Sequence, residues 1–319
     1  MNEIWSTINQ KAGQKEPFLF VIDFECNRAV IEDLPIDANN LMIDFPSYRN
    51  VSSPKMSLPF TFHKKPVSFE QYQKQFETVM HHLTRGDTFL LNLTTFTPIE
   101  SSLGLKMLFF EANAKYRLYI PGWFTVFSPE TFIKIEGNSI FSYPMKGTID
   151  ASIPNAESLI LNNQKEIDEH NTIVDLIRND LNSVSQKVKV NKYRYVERLD
   201  TNDKSLLQVS SEIEGELPSD WHRQLGTILS KLLPAGSISG APKPKTLEII
   251  KSVETSPRGY YTGVMGVFDG NSVDSAVMIR FVEQTEDGLV YRSGGGITIN
   301  SKVEEEFQEL IDKVYVPSV

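Results

Sequence analysis

Cysteine is nearly absent from this 319-residue sequence, in which Cys26 is the single example. One thiol cannot form an intramolecular disulfide, so the sequence excludes a small secreted scaffold held together by disulfides. The N-terminal stretch MNEIWSTINQKAGQK also lacks the apolar segment of a secretory signal. These two absences predict a cytoplasmic protein.

Long apolar runs and basic clusters are absent as well. The longest apolar runs, such as FLFVI at 18–22, are far shorter than the roughly 20 residues that span a bilayer. The formal net charge is -9 at pH 7, and the 32 Lys and Arg residues form no run. The sequence therefore predicts no membrane segment and no nucleic-acid partner, and it favours small-molecule chemistry.

Linkers rich in Gly, Ser or Pro and internal repeats are missing too, which favours one continuous body. Apolar residues at helical spacing predict a helix that begins at Ser68 and ends before Gly86. The same criterion predicts helices near 156–181, near 221–233, after Pro242 at the start of KPKTLEIIKSVE, and from about 303. Each is long enough to cover part of a core.

Alternating apolar and polar residues predict β-strands between these helices. Two strands turn at EGNS within 123–148, and Lys146, in PMKGT, lies at the end of the second strand. Arg280 lies in a predicted apolar strand, VMIRFV, and GGGI at 294–297 leads to the last helix. The pattern as a whole predicts a mixed α/β fold.

Two predicted helices carry the same Glu-x-x-Glu spacing, Glu166 with Glu169 and Glu306 with Glu309. Residues three apart lie on one helix face, so each helix presents two neighbouring carboxylates. If the two faces meet, an all-oxygen cluster without histidine favours Mg²⁺ over Zn²⁺. Exposed helix faces with no ligand are the alternative, and the spacing alone favours that alternative.

Three other features remain ambiguous when only the residues are considered. Lys146 is either a solvated charge at a strand end or a functional amine. The loop AGSISGAPK at 235–243 is either an anion site ahead of a helix or a tight connection. Arg280 needs either a structural partner or an anionic ligand. None of the five histidines has the spacing of metal ligands.

The order of these motifs resembles the chorismate-utilising enzymes, which include anthranilate, aminodeoxychorismate, isochorismate and salicylate synthases. The motifs are FSPETF, PMKGT, KEIDEHNTIVDLIRNDL, PAGSISGAPK, GYYTGVMGVF, MIRF, GGGI and EFQELIDK. The resemblance implies an α/β (α+β) fold in which two antiparallel-rich sheets pack as a sandwich with helices outside. It also implies that 68–319 form the chorismate-binding catalytic domain, and that 1–67 belong to the same body without a separate regulatory domain.

The residue before Gly-Thr distinguishes reactions within the family: aminodeoxychorismate synthases carry lysine there and anthranilate synthases carry alanine. Lys146 at this position implies a covalent reaction. The lysine attacks carbon 2 of chorismate as the carbon-4 hydroxyl leaves, and ammonia then yields 4-amino-4-deoxychorismate, a precursor of 4-aminobenzoate and folate. The implied partner is a glutamine amidotransferase that supplies ammonia. Because an attacking amine must be neutral, we expect a lowered pKa for Lys146.

The resemblance implies further roles residue by residue. Glu130 matches the general acid that protonates the departing hydroxyl. Glu169 and Glu309 match ligands of Mg²⁺, with Glu166 and Glu306 beside them. Positions that match the chorismate-binding residues are Gly147, Thr148, Ser239, Gly240, Ala241, Tyr261, Arg280, Gly294, Gly295, Gly296 and Lys313.

Three positions depart from the family pattern. Gln208 replaces a frequent histidine, and Ile149 replaces the usual arginine after Gly-Thr. Leu90 lies where members that use water place a lysine base and members that use ammonia often place glutamine. A leucine cannot activate water, which weighs against an isochorismate synthase. The alternatives that remain are anthranilate synthase component I and a catalytically silent member of the family.

Overall fold

The computed structural model describes residues 3–52, 59–200 and 205–317. Within these ranges the helices are α1 (Glu3–Gly13), α2 (Phe69–Arg85), α3 (Leu105–Glu111), α4 (Ala156–Asn162), α5 (Gln164–Asn182), α6 (Leu225–Leu232), α7 (Gly236–Ser239), α8 (Lys243–Val253) and α9 (Val303–Asp312). A 3₁₀ turn at Trp221–Gln224 precedes α6.

The same ranges contain strands from both halves of the chain. They are β1 (Phe18–Ile22), β2 (Ala29–Asp33), β3 (Met42–Asp44), β4 (Phe62–Lys64), β5 (Leu90–Ser101), β6 (Tyr116–Ile120), β7 (Phe124–Ser128), β8 (Thr131–Glu136), β9 (Ser139–Ser142), β10 (Met145–Asp150), β11 (Gln186–Asp200), β12 (Ser205–Glu216), β13 (Gly240–Ala241), β14 (Val264–Phe268), β15 (Val273–Val277), β16 (Phe281–Thr285) and β17 (Gly288–Ile297).

The strands form two antiparallel sheets. The first has the order β10-β12-β9-β8-β15-β14-β1-β2, with β11 also paired to β12. The second has the order β13-β5-β17-β16-β7-β6-β3, with β4 paired to β5. The expected sandwich of two antiparallel sheets in an α/β protein is confirmed.

Strand alternation explains how the first sheet is buried on both faces. Along β1, Leu19 and Val21 pack with residues of the second sheet such as Leu118 and Val126, in one buried cluster between the sheets. Phe18, Phe20 and Ile22 point to the opposite face and pack among residues of the helices. Each strand of this kind therefore reads as a continuous apolar run rather than as an alternating one.

Two of the connections that take the chain from one sheet to the other are very short. The first segment is Pro129–Glu130, between β7 in the second sheet and β8 in the first. The other is Met278–Arg280, between β15 in the first sheet and β16 in the second. Main-chain hydrogen bonds join these crossovers, because Val277 N donates to Glu130 O (3.2 Å) and Phe127 N donates to Arg280 O (3.1 Å).

Helix α2 matches its sequence signals at both ends. The Ser68 hydroxyl accepts a hydrogen bond from Gln71 N, and Gly86 ends the helix in the left-handed region at φ 77°. The helix predicted near 156–181 is instead two helices, α4 and α5. Asn163 lies between them in an extended conformation, and its side chain accepts from Glu166 N as the N-cap of α5. Helical spacing does not reveal such a break when a cap follows directly.

Two strand predictions need correction. Lys146 lies near the start of β10 rather than at the end of a strand, because Pro144 separates β9 from β10 and has no N–H to continue a ladder. Arg280 is not in a strand but at the crossover, with a left-handed φ of 54°. The triple glycine lies within β17. In the described ranges, no helix has both the length and the apolar character needed to cross a bilayer.

Candidate active site

A cavity of about 560 Å³ lies where the two crossovers, β10 and three helices meet. The predicted site residues that line it are Glu130, Lys146, Gly147, Thr148, Glu166, Glu169, Gly240, Tyr261, Arg280, Gly294, Gly296, Glu306, Glu309 and Lys313. Leu90 and Gln208, two of the three departures from the family pattern, line it as well. The fold thus brings residues from 90 to 313 to one place.

A β-bulge presents Lys146. Met145 pairs with Ser210 and Thr148 with Gln208, so β10 has one residue more than β12 between these pairs. Gly147 supplies the extra residue's geometry with φ 88°, a conformation that favours glycine. A Cβ at Gly147 would also lie 3.0 Å from Glu166 Oε2. The local fold therefore favours glycine at position 147, whatever the chemistry of Lys146.

Lys146 is held by carboxylates. Its Nζ lies 2.7 Å from Glu169 Oε2, and its side chain is 30% exposed. Burial favours the neutral amine, but the charges of Glu169, Glu309 and Glu166 outweigh it, so the pKa of Lys146 is raised. The expectation of a lowered pKa is wrong for this structure. A nucleophilic Lys146 must first lose its proton.

Glu130 shows the opposite effect. Burial raises the pKa of its carboxyl, although the hydrogen bond from Ser237 and the charges of Arg280, Lys313 and Lys146 favour the ionised form. The Ser237 hydroxyl donates to Glu130 Oε1 over 2.7 Å. Because Oε1 accepts this bond, a proton on the carboxyl belongs on Oε2. A buried carboxyl with a raised pKa is a group that can donate a proton.

The two Glu-x-x-Glu pairs do line the same cavity, one from α5 and one from α9. Glu306 is buried and accepts a hydrogen bond from the Ser301 hydroxyl (2.7 Å). Glu309, half exposed, lies 2.6 Å from Lys313 Nζ. In the described part of the chain, no three His, Cys, Asp or Glu side chains are grouped as a complete metal site. Mg²⁺ commonly binds through one or two carboxylates, with water and substrate completing its coordination, so these donors fit it.

Two cations are placed to meet an anion. Arg280 lines the cavity at the crossover, and its guanidinium lies over the ring of Tyr315 at 5.2 Å from the ring centroid. Its Nε is buried without a hydrogen-bond partner among the described residues. Lys313 Nζ donates to Gly294 O over 3.0 Å. Both groups retain capacity to bind a carboxylate.

Three predicted binding residues do not line the cavity: Ser239, Ala241 and Gly295. Ser239 is buried, and its hydroxyl donates to Ala235 O within its own turn. Ala241 O accepts from Phe89 N and from the Thr88 hydroxyl. Gly295 lies on the opposite face of β17 from Gly294 and Gly296, where a Cβ would lie 3.5 Å from Glu306 Oε2 and 3.8 Å from Lys313 Nζ.

Arg258 connects two segments that line the cavity, and the sequence analysis did not identify it. It is 1% exposed and pairs with Glu254 at 2.7 Å. It also donates to Ile238 O (2.8 Å) and Asn92 O (2.6 Å), which joins α7 to β5. Its position in the turn SPRG carries no local signal of burial. Only long-range contacts reveal its role.

The family model for chorismate binding enzymes matches residues 14–318. The chain belongs to this family. An uncharacterized PabA-like protein of Pasteurella multocida is 50% identical over 312 residues, which cover 97% of this chain and 96% of that protein. The membership of the chorismate-utilising enzymes that the sequence predicts is confirmed.

More distant relatives have named activities. Aminodeoxychorismate synthase component 1 of Bacillus subtilis is 28% identical over 269 residues, covering 78% of this chain and 55% of that protein. The solved structure of anthranilate synthase component I from Streptococcus pneumoniae superposes with a TM-score of 0.68 and 26% identity, covering 81% of this chain and 59% of that one. The chain is thus similar both to a protein named as an aminodeoxychorismate synthase component and to one named as an anthranilate synthase component.

Proposed function

We propose that this member of the family converts chorismate and ammonia to 4-amino-4-deoxychorismate through a covalent intermediate on Lys146. One observation carries the proposal: an amine, Lys146, and a carboxyl with a raised pKa, Glu130, line the same cavity in a chorismate-binding family member. Splitting one substitution into two steps is the general advantage of a covalent nucleophile.

In the first step Lys146 gives its ammonium proton to solvent, and the neutral amine then bonds to carbon 2 of chorismate. The bonded nitrogen releases one more proton, which passes through solvent and restores the proton that Glu130 gives up, so the adduct holds a neutral secondary amine. The ring double bond shifts, and the bond from carbon 4 to its hydroxyl breaks. Glu130 supplies the proton that turns the departing hydroxyl into water. Ser237 keeps Glu130 Oε1 occupied, so the proton leaves from Oε2. The raised pKa of Glu130 keeps that proton available.

We assign binding of the chorismate carboxylates to Arg280 and Lys313, which approach the cavity from the crossover and from the end of α9. A guanidinium can hold a carboxylate through two hydrogen bonds, which fixes the ring's orientation. Thr148 and Tyr261 line the same space and offer hydroxyl groups.

Glu169 and Glu309, with Glu166 and Glu306 beside them, would hold Mg²⁺ in this proposal. The metal would supply positive charge that offsets a carboxylate of chorismate. Lys146 and Lys313 occupy these carboxylates in their ion pairs, so both lysines would exchange a carboxylate partner when a cation binds.

Ammonia completes the reaction by bonding to carbon 4 while the bond from carbon 2 to Lys146 breaks. The proton that ammonia gives up passes to the lysine nitrogen. Leu90 lines the cavity and has no group that could deprotonate water, which favours a nitrogen nucleophile. A glutamine amidotransferase partner would release this ammonia, so activity with glutamine should require that added chain whereas ammonium salt should replace it.

Intact-protein mass spectrometry tests the proposal. With chorismate and Mg²⁺ but no ammonia, the wild type should gain the mass of chorismate minus water, and peptide mapping should place it on Lys146. Lys146→Ala should abolish the adduct. As a matched control, Lys134→Ala removes a lysine of strand β8 in the same sheet and should leave the adduct in place.

Product analysis after addition of ammonium salt separates the rivals. We expect 4-amino-4-deoxychorismate. Anthranilate with pyruvate would instead favour the anthranilate synthase reaction. No consumption of chorismate by folded protein would indicate a silent scaffold, and an adduct on another residue would end the role of Lys146.

A further inference from the structure

Thr262 has a backbone conformation that threonine rarely adopts. Its φ is 59°, in the left-handed region, and the residue is 1% exposed. Of the non-glycine residues with positive φ in the described ranges, only Thr262 is β-branched, and only Thr262 and Arg280 line the cavity. A β-branched residue is strained here, because its Cβ comes too close to the following carbonyl oxygen. The surrounding structure must therefore hold Thr262 in place.

The strained residue lies in a tight turn. Gly263 N donates to Tyr260 O over 3.0 Å, so residues 260–263 form a four-residue turn in which Thr262 is the third residue. When φ is positive at the third residue of such a turn, glycine or asparagine is favoured there. The turn would therefore form more easily with glycine than with threonine. Turn formation alone does not explain the threonine side chain.

The Thr262 hydroxyl takes part in a chain of hydrogen bonds. Oγ1 donates to Tyr261 O over 2.6 Å, and Arg258 Nη1 donates to Oγ1 over 3.4 Å. These directions follow from the groups involved, because a guanidinium cannot accept and a carbonyl cannot donate. Arg258 is held in turn by its buried ion pair with Glu254. The hydroxyl thus connects the main chain of Tyr261 to a buried ion pair.

The main chain of the same turn is bonded to the crossover that carries Arg280. Thr262 N donates to Met278 O and Met278 N donates to Gly263 O, both over 2.8 Å. Arg280 follows Met278 by two residues and is itself in the left-handed region at φ 54°. A shift of the turn would therefore be passed to the start of this crossover.

The two residues connected in this way are both suited to bind a carboxylate. The Tyr261 ring packs against Phe281 with centroids 5.9 Å apart. Burial raises the pKa of Tyr261 to about 12, so its hydroxyl stays protonated near neutral pH and can donate. Arg280 supplies a guanidinium in the same cavity. Two donors hold one anion well only if their spacing is fixed before the anion arrives.

Resting on the proposed function, we propose that Thr262 is a positioning residue for chorismate binding. Its hydroxyl holds the turn at 260–263 so that Tyr261 and Arg280 meet a carboxylate of the substrate together. Thr262 acts through these two residues and does not itself bind the substrate. This role explains why a strained threonine occupies a position that favours glycine.

Three variants at one position separate the hydroxyl from the strain. Thr262→Val keeps the branched shape and the strain but removes the hydroxyl, whereas Thr262→Gly removes both the hydroxyl and the strain. Thr262→Ser keeps the hydroxyl. Lys15→Gly is the matched control, because Lys15 is exposed, has a φ of 57° and does not line the cavity. For each protein, calorimetry gives the Tm and the apparent dissociation constant for chorismate with Mg²⁺ and without ammonia.

We expect Thr262→Val and Thr262→Gly to weaken chorismate binding equally, by about tenfold, which corresponds to the loss of one hydrogen bond. Their Tm values should differ. We expect a fall of about 2–4 °C for Thr262→Val, and a value within about 2 °C of the wild type for Thr262→Gly. Thr262→Ser should recover most of the affinity. Lys15→Gly should keep wild-type affinity with a Tm at or above that of the wild type.

Affinity that follows the Tm across this series would overturn the inference and make Thr262 merely structural. Wild-type affinity in Thr262→Val or Thr262→Gly would overturn it as well, as would a failure of Thr262→Ser to restore binding or a wild type that binds no chorismate. A wild type that binds chorismate but forms no adduct on Lys146 would end the proposed reaction. The same affinities would still decide the role of Thr262, so the two failures are distinct.

Discussion

Two walls of the cavity differ in what holds their groups in place. The ionic wall consists of Lys146, Glu166, Glu169, Glu306, Glu309 and Lys313, and the neutral wall consists of Leu90, Asn92, Gly240, Gly294 and Gly296. Side-chain ion pairs position the ionic wall, whereas strand pairing of β5 with β13 and β17 positions the neutral wall.

The difference indicates that the two walls have different roles. Ion pairs at partly exposed sites contribute little to stability, so the ionic wall can change partners when a cation or substrate enters. A strand paired on both edges resists such change, because moving it would break several main-chain hydrogen bonds. The first wall is suited to balancing charge and the second to keeping shape. Three predictions test this comparison, and a fourth concerns Glu130, which belongs to neither wall.

The largest effect is expected for Arg258→Met, which removes the residue that anchors the neutral wall. Glu254 would remain as a buried, unpaired carboxylate, so we expect a loss of about 3–5 kcal/mol in the free energy of unfolding in urea. Arg178→Met, at an exposed pair with Asp175, should change it by less than about 1 kcal/mol. A similar small loss in both variants would contradict the anchoring role.

Glu169→Gln tests the centre of the ionic wall. It removes a proposed Mg²⁺ ligand and the ion-pair partner of Lys146, and we expect turnover with Mg²⁺ to fall about 100-fold. Asp168→Asn is the matched control, because Asp168 is exposed on the same helix. The melting temperature should stay close to the wild type in both. Normal turnover of Glu169→Gln would remove this residue from the machinery.

Glu309→Gln should have a smaller effect, because Glu309 is 50% exposed and Glu169 is 15% exposed. We expect the Mg²⁺ concentration for half-maximal turnover to rise about tenfold while the fold is retained. Glu305→Gln, at an exposed pair with Lys302, should leave it unchanged. Full wild-type turnover in excess EDTA would refute a metal on this wall.

Ser237→Ala should produce the smallest change, a displaced pH profile. Glu130 must be protonated to act, so adduct formation falls as the pH rises through its pKa. The Ser237 hydrogen bond lowers the pKa of Glu130, and removing it raises that pKa further. The alkaline limb of adduct formation without ammonia should therefore move to higher pH. A shift to lower pH would show that another group controls this limb.

Local signals in the sequence were sufficient for some elements and for the family. Ser68 and Gly86 define α2 because capping depends on neighbouring residues alone. The two Glu-x-x-Glu spacings, PMKGT and the order of the motifs indicate the family, the paired carboxylates and the lysine. Each of these motifs consists of residues that are neighbours in the sequence, so it can be recognised without knowledge of the fold.

The tertiary structure decided what depends on distant contacts. Glu130 and Arg280 line one cavity because two short crossovers between the sheets lie side by side, and no periodicity marks a crossover. Arg258 is buried between residues that are far apart in the sequence, such as Asn92 and Glu254. The pKa of Lys146 is raised by carboxylates from two different helices. Burial and charge act through space, so the sequence determines which groups exist, and the packing determines their ionisation and their partners.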